Sequence, residues 1–117
     1  MFNGSLTIAI PLYNESKTIE YLKERLSEAI EKIDVHTLKI LLIEDGSTDN
    51  TYELLKDNFL DFKNSKIIQH DKNKNLNGFL STVIENCDTD LVVFLDSDCT
   101  FDPIYISEML NFLGPDV

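Results

Sequence analysis

Four short strand segments alternate along this chain with four stretches of helical periodicity, and this alternation limits the possible folds more than any other feature. The first, second and fourth segments are apolar runs at residues 6–10, 38–43 and 91–95, and a short third strand is predicted at residues 66–70. Continuously apolar runs, without alternating polar positions, are typical of strands buried on both faces of a parallel sheet. We therefore predict a single α/β domain, residues 1–117, with a mainly parallel sheet, right-handed crossovers and helices on both faces.

Turn and cap residues separate the strands from the helices. Pro11 has no N–H group, so it should end the first strand, and Ser16 should cap the first helix. Thr48 or Asp49 should cap the second helix, and Asp102 should cap the fourth. The expected core-facing residues of the helices are Ile19, Leu22, Leu26, Ile30 and Ile33, then Tyr52, Leu55 and Phe59, then Leu80, Val83 and Ile84, and finally Ile106, Leu110 and Leu113, with Gly114 and Pro115 closing the last helix.

The chain is strongly acidic, with a formal net charge of −11 at pH 7 and no Lys or Arg after Lys74. Such a chain repels nucleic acid, so we expect no nucleic-acid partner. Cys87 and Cys99 do not form a CxxC motif, which favours reduced thiols. We expect a cytoplasmic protein, and a peripheral position at the inner face of the membrane is compatible with the sequence.

Three polar clusters follow the first, second and fourth strand segments. They cover residues 13–15, 44–49 and 96–98. In parallel sheets ligands bind beyond the carboxyl ends of the strands, so we expect the three clusters to meet in one cleft.

Asp96 and Asp98 form an Asp-x-Asp pair directly after the fourth segment. In an extended backbone, residues two apart point to the same side, so the two carboxylates should face one space and repel each other. A hard cation with oxygen ligands, Mg²⁺ or Mn²⁺, relieves that repulsion. An acidic turn that faces water and binds nothing is the alternative.

The three clusters and the residues around them resemble the N-terminal signatures of the inverting family 2 glycosyltransferases. The matching segments are Ile-Pro-Leu-Tyr-Asn-Glu at 10–15, Glu-Asp-Gly-Ser-Thr-Asp-Asn-Thr at 44–51 and Phe-Leu-Asp-Ser-Asp at 94–98. The resemblance covers nearly the whole chain, and within the family it is greatest to the polyprenol-phosphate (dolichol-phosphate mannose synthase-like) branch. It implies the Rossmann-like GT-A fold of nucleotide-diphospho-sugar transferases, in a truncated form that contains the donor-binding part.

The resemblance also implies how the donor nucleotide is bound. Asp45 would accept a hydrogen bond from the nucleobase, and the ring N–H of uracil or guanine can donate it. Tyr13 would stack on the base, Glu15 would bond to base or ribose, and Pro11 would stiffen their loop. The alternative for Tyr13 is a tyrosine packed in the core.

For the sugar-diphosphate end of the donor, the resemblance implies a metal site. Asp96, Ser97 and Asp98 would bind the nucleotide sugar, with Asp96 facing ribose and metal and Asp98 holding Mg²⁺ or Mn²⁺ against the diphosphate. The implied donor is a UDP- or GDP-sugar. The acceptor stays open between a polyprenyl phosphate and a glycan, and a homo-oligomer is also left open.

Two positions depart from the family pattern. Glu44 stands where the family often has Asp, and Thr100 stands where the dolichol-phosphate-type members tend to carry Gln, which leaves the third metal ligand unassigned. Lys72 and Lys74 lie in a loop with a loose likeness to a family segment, and a solvated loop is the preferred interpretation. The catalytic residue is unknown, because the family's base lies beyond residue 117.

Other interpretations remain possible at this point. A nucleotide-binding fragment without activity would use the same residues. A response-regulator receiver domain has a similar length and an acidic pair, but its pair follows the first strand and it needs a later Lys. A nucleotidyltransferase would need a basic, glycine-rich loop after the first strand, and residues 13–15 contain neither.

Overall fold

The computed structural model describes residues 2–113. In chain order its elements are β1 (Ser5–Leu12), α1 (Ile19–Ile30), β2 (Thr37–Glu44), α2 (Thr51–Phe59), β3 (Ser65–Gln69), α3 (Asn75–Asn86), β4 (Leu91–Phe94) and α4 (Ile106–Asn111), with a 3₁₀ turn at Pro103–Tyr105 before α4. The predicted alternation of strands and helices is confirmed in all four units.

The four strands form one parallel sheet in the order β3-β2-β1-β4. This order corresponds to one half of a Rossmann-type sheet, in which the first strand lies beside the second and the fourth. A receiver domain instead has the order 2-1-3-4-5, which would place β3 beside β1. The observed pairing of β3 with β2 therefore excludes the receiver alternative.

The sheet has a hydrophobic core on each face, so the prediction of helices on both faces is confirmed. On one face α1, α2 and α4 pack against alternate residues of β1, including Leu6, Ile8 and Ile10. On the other face α3 packs alone, with Phe79 and Val83 against the centre of the sheet. The side with one helix leaves more of the sheet uncovered.

The prediction that Pro11 ends the first strand is wrong, because β1 continues to Leu12. The Ala9 carbonyl accepts the amide of Leu95, just after β4, whereas the Leu12 carbonyl accepts the amide of Asp45, just after β2. The main-chain N–H and C=O groups of odd-numbered β1 residues therefore point toward β4. The ladder with β4 ends at Ala9 opposite Phe94. The absent N–H of Pro11 therefore points where no partner strand remains, and proline is tolerated there.

The prediction that the fourth strand is buried on both faces is also wrong. β4 is an outer strand of the described sheet, and its residues are alternately half-buried and exposed. Val92 is 36% exposed and Phe94 is 52% exposed. Phe94 touches α3 only edge-on, with its ring centroid 5.7 Å from that of Phe79. An apolar run thus need not mean full burial when a single helix covers that face.

Several helix boundaries differ from the predicted ones. Thr18, not Ser16, occupies the cap position of α1, after a turn in which the Thr18 amide donates to the Glu15 carbonyl. Ile33 packs against the core but lies beyond the end of α1. Ile84 is exposed and does not face the core.

The caps of the later helices agree more closely. Asn50 holds the cap position of α2, while the Asp49 carboxylate accepts the Thr51 amide at 2.9 Å. Asp102 accepts the Ile104 amide at 3.0 Å, which confirms it as the cap of the last helical segment. Gly114 and Pro115 lie outside the described residues. Among residues 2–113, no helix has the length and apolar character that crossing a membrane requires.

Candidate functional site

A cavity of about 620 Å³ lies at the carboxyl ends of β1, β2 and β4. All seven residues singled out from the sequence line it: Pro11, Tyr13, Glu15, Asp45, Asp96, Ser97 and Asp98. The remaining lining residues are Leu12, Asn75, Leu76, Phe79, Leu80, Phe94 and Leu95. Parallel strands thus gather side chains that are far apart in the chain, as expected. The cavity has an acidic side and an apolar side, the latter formed largely by α3 and β4.

Asp45 is held firmly at the end of β2. It is 6% exposed, and its Oδ1 accepts from His70 Nδ1 at 2.7 Å and from the Lys74 amide at 2.8 Å. Its Oδ2 accepts the Asn75 amide at 3.0 Å. Asp45 therefore binds the first amides of α3, where a negative charge is favourable.

Gly46 allows this arrangement. Its φ is +70°, and a Cβ placed on it would lie 2.3 Å from the carbonyl carbon of Lys72 and 2.5 Å from the amide nitrogen of Asn73. Only glycine lets the loop before α3 approach the end of β2 so closely. The close approach brings the amides of residues 74 and 75 to the Asp45 carboxylate.

The loop after β1 is tied to the loop after β2 through Asn14. Its amide donates to Ser47 Oγ at 2.9 Å, and its side-chain Oδ1 accepts the Thr48 amide at 2.9 Å. The next amide, of Glu15, donates to Thr51 Oγ1 at 2.9 Å. Asn14 points away from the cavity, while the residues on either side of it line the cavity.

The cluster 44–49 contributes less to the cavity than predicted, since Asp45 is its one member among the lining residues. Glu44 is fully buried beneath the loop, and its Oε1 accepts the Ser47 amide at 2.6 Å. Glu44 therefore supports the loop after β2.

The Asp96–Asp98 segment is a turn, so the expectation of an extended backbone is wrong. β4 ends at Phe94, and the Cys99 amide donates to the Asp96 carbonyl at 3.0 Å. Both aspartates are nevertheless exposed and line the cavity, with Ser97 buried between them. Asp98 Oδ1 accepts the amide and the hydroxyl of Thr100 at 3.1 and 2.9 Å. Thr100 thus orients Asp98 from within the same turn.

The acidic side of the cavity affects Glu15. Burial raises the pKa of Glu15, and the negative charges of Asp98, Asp49 and Asp96 raise it further, while a hydrogen bond from Thr18 acts in the opposite direction. The carboxylates are therefore close enough to repel one another.

The donor set at this end of the cavity fits a hard cation. Among the described residues, no three His, Cys, Asp or Glu side chains come together as a ready-made metal site. Mg²⁺, however, is usually held by one or two carboxylates together with substrate phosphates and water. Burial raises the pKa of Cys99 to about 11, so this neighbouring thiol stays protonated at neutral pH and offers no thiolate ligand. The oxygen atoms of Asp96 and Asp98 suit Mg²⁺ or Mn²⁺.

Three of the four described residues other than glycine with a positive φ lie in the loops around the cavity: Asn14, Asn75 and Cys99, at 52°, 58° and 56°. The fourth, Asn64 at 63°, precedes β3 at the other end of the sheet. Left-handed conformations in residues other than glycine are uncommon and tend to cluster at functional sites. Asn75, at the first turn of α3, was missed from the sequence, and the tolerance of Asn for this conformation was the available signal.

Comparison with proteins of known structure identifies the fold. A mannosyltransferase from Pyrobaculum calidifontis, solved with GDP-Man and Mn²⁺, superposes with a TM-score of 0.70 at 18% identity and covers 84% of this chain and 28% of its own. S. aureus TarS 1-349, solved with UDP, gives a TM-score of 0.72 at 20% identity over 92% of this chain and 31% of its own. The fold is that of the GT-A nucleotide-sugar transferases.

Sequence comparison identifies the family. The model of Glycosyl transferase family 2 matches residues 7–116, and the chain belongs to this family. An undecaprenyl-phosphate 4-deoxy-4-formamido-L-arabinose transferase from Pseudomonas fluorescens is 30% identical over 115 residues, which are 96% of this chain and 33% of that protein. The chain spans about a third of the length of the first curated relatives that it matches.

Proposed function

We propose that this chain is the donor-binding part of a glycosyltransferase that takes a UDP- or GDP-sugar together with Mg²⁺ or Mn²⁺ and transfers the sugar with inversion. The observation that carries the proposal is the convergence of seven residues, chosen from three separate strand ends, on one cavity. The two solved structures described above, one with GDP-Man and Mn²⁺ and one with UDP, support the choice of donor.

The nucleoside is assigned to the part of the cavity between β1 and α3. Tyr13 is 43% exposed at the cavity, which favours a stacking role over a place in the core. Asp45 offers a fixed carboxylate to a ring N–H of the base. Glu15 lies on the acidic side and bonds to base or ribose, and Pro11 restricts the backbone of the same loop.

The diphosphate is assigned to the turn after β4. Asp96 and Asp98 hold the cation, with Asp96 also facing the ribose, and Ser97 completes this side of the donor site. When bound, the cation supplies positive charge that stabilises the leaving nucleoside diphosphate. The turn contributes orientation, because Thr100 fixes one oxygen of Asp98 and leaves the other without a partner in the turn.

An inverting transfer needs a base for the acceptor hydroxyl, and we assign that role to no residue of this chain. The named transferase relative makes a polyprenyl phosphate our proposed acceptor, with a glycan as the alternative. A phosphate acceptor is already ionised and needs less help from a base. We place the protein on the cytoplasmic side of the membrane, in keeping with its free thiols at Cys87 and Cys99.

Titration calorimetry with UDP and GDP, with and without MnCl₂, tests the donor site. We expect binding of one nucleotide to depend on Mn²⁺, and Asp98→Asn to weaken it about tenfold or more because a charged ligand is lost. Asp57→Asn, on the exposed side of α2, removes the same charge away from the cavity and serves as the control.

Two outcomes would contradict this assignment: no binding of either nucleotide, or equal binding with and without Mn²⁺. Binding of nucleotide sugar without hydrolysis or transfer would instead favour a nucleotide-binding fragment without activity.

A further inference from the structure

His70 is a buried histidine that the proposed donor site does not yet use. It follows β3 and is 6% exposed, although it is not among the cavity-lining residues. Its Nδ1 lies 2.7 Å from Asp45 Oδ1, and its Nε2 lies 2.7 Å from Thr82 Oγ1 in α3. The ring therefore forms a bridge between the end of β2 and the middle of α3.

The chemistry of the Asp45 carboxylate determines which nitrogen of the His70 ring must donate a hydrogen bond. An ionised carboxylate can only accept hydrogen bonds, so Nδ1 of His70 carries a proton and donates it to Asp45. Nε2 bonds to the Thr82 hydroxyl, which can serve as donor or acceptor. Asp45 thereby fixes the proton on Nδ1, and the second bond, to Thr82, fixes the orientation of the ring.

The acceptor capacity of Asp45 is then nearly filled. Each carboxylate oxygen has two lone pairs. Oδ1 uses both, for His70 and the Lys74 amide, while Oδ2 uses one for the Asn75 amide. One lone pair of Oδ2 remains, on a side chain that lines the cavity.

We propose that His70 is a positioning residue for base recognition, which holds Asp45 so that its remaining Oδ2 lone pair faces the ring N–H of a uracil or guanine. This inference rests on the proposed function of the cavity. Rotation of an aspartate carboxylate about its Cβ–Cγ bond costs little energy, so the hydrogen bonds from its partners decide its orientation. Without His70, one backbone amide remains on each oxygen, and the carboxylate is held less firmly in this orientation.

The test uses UDP and GDP beside the same nucleotides methylated at the ring nitrogen, N3 of uracil or N1 of guanine. Methylation removes the donor that Asp45 would accept, and we expect it to weaken binding to the unaltered protein about tenfold or more. We call the ratio of the affinities for the unmethylated and methylated nucleotides the discrimination. In His70→Phe the discrimination should fall to about threefold or less, while the affinity for the methylated nucleotide is unchanged. His70→Asn, whose amide N–H can replace Nδ1, should retain most of it.

Two further variants make the result decisive. Thr82→Val keeps the shape of the side chain but removes the hydroxyl that orients the ring, so the discrimination should fall partly. His36→Phe, at an exposed histidine outside this cavity, should leave it unchanged. Circular dichroism checks that each variant folds, and Thr82→Val decides the matter if His70→Phe does not fold.

The outcomes separate this inference from the proposed function. Failure of the unaltered protein to bind any nucleotide contradicts the donor site itself. Full discrimination in a folded His70→Phe or Thr82→Val overturns the role of His70 and leaves the donor site standing. A parallel loss of affinity for methylated and unmethylated nucleotides also overturns it, since that would mean general damage to the cavity.

Discussion

Asp45 and Asp98 line the same cavity, yet the fold treats them in opposite ways. Asp45 is buried and accepts hydrogen bonds from His70 and from two backbone amides of α3. Asp98 is exposed, and its recorded partner is Thr100, two residues further along the same turn. One carboxylate is therefore held by contacts between distant parts of the fold, whereas the other is oriented by a residue of its own turn.

The largest expected effect comes from removing the buried carboxylate. Asp45→Ala leaves two amides and the His70 ring without their acceptor, so we expect it to lower the free energy of unfolding by about 3 kcal/mol. Asp98→Ala should change it by less than about 0.5 kcal/mol, as for an exposed side chain. Urea denaturation of both variants measures the difference, and equal losses would remove the distinction between the two sites.

Gly46→Ala should come next, because it disturbs the approach that brings the α3 amides to Asp45. The positive φ and the contact with the Lys72 backbone together should cost about 2 kcal/mol or more. Gly46→Asn separates the strain of the φ angle from the close contact. Asn adopts a positive φ more readily than Ala, but its Cβ would lie equally close to the Lys72 backbone. Stability in Gly46→Asn close to that of the unaltered protein would show that the close approach is unimportant.

Glu15 tests whether burial and repulsion between carboxylates oppose folding on the acidic side of the cavity. Its folded-state pKa lies above the ordinary value of 4.5, so its ionisation opposes folding. The stabilising contribution of the protonated group is complete below the unfolded-state pKa and is lost as pH rises through the folded-state pKa. Glu15→Gln should therefore be the more stable form at pH 7, with an advantage that disappears below about pH 4.

Thermal unfolding of the Glu15→Gln variant between pH 3 and pH 7 checks this dependence. Glu53→Gln, on an exposed position of α2, is the matched control for the change in charge. A stability difference between Glu15→Gln and the unaltered protein that stays constant with pH would contradict the repulsion inferred at the cavity.

The smallest effect is expected at the turn itself. Thr100→Val removes the hydroxyl bond to Asp98 Oδ1 but keeps the amide bond, so it should cost about 0.5 kcal/mol in stability. Because the carboxylate becomes less well oriented, Mn²⁺-dependent nucleotide binding should weaken about threefold. Calorimetry at fixed Mn²⁺ measures this, and a stronger effect than that of Asp98→Asn would assign Thr100 a direct role.

The order of elements and the gathering of the cavity residues could be predicted from the sequence because both follow from local signals. Apolar runs and helical periodicity gave the parallel sheet, and a parallel sheet brings the residues after its strands to one edge. Tyr13, Asp45 and Asp98 were found in this way. The family resemblance added the roles that remain proposals.

The features that could not be predicted depend on contacts between distant parts of the chain. The bond between Asp45 and His70 joins residues 25 positions apart, and no periodicity reports it. The exposure of Phe94 depends on how much of the sheet α3 covers, and the tolerance of Pro11 depends on where β4 stops. Each is a property of the assembled sheet and is absent from any short window of sequence.

The position of β4 has a consequence for handling the protein. Within residues 2–113 this strand pairs on one side only, so its other side presents unpaired main-chain N–H and C=O groups beside exposed Val92 and Phe94. An apolar strand with a free row of donors and acceptors is a template onto which another chain can add. In concentrated solution the protein should therefore self-associate through the free edge of β4, and Val92→Lys should reduce this association.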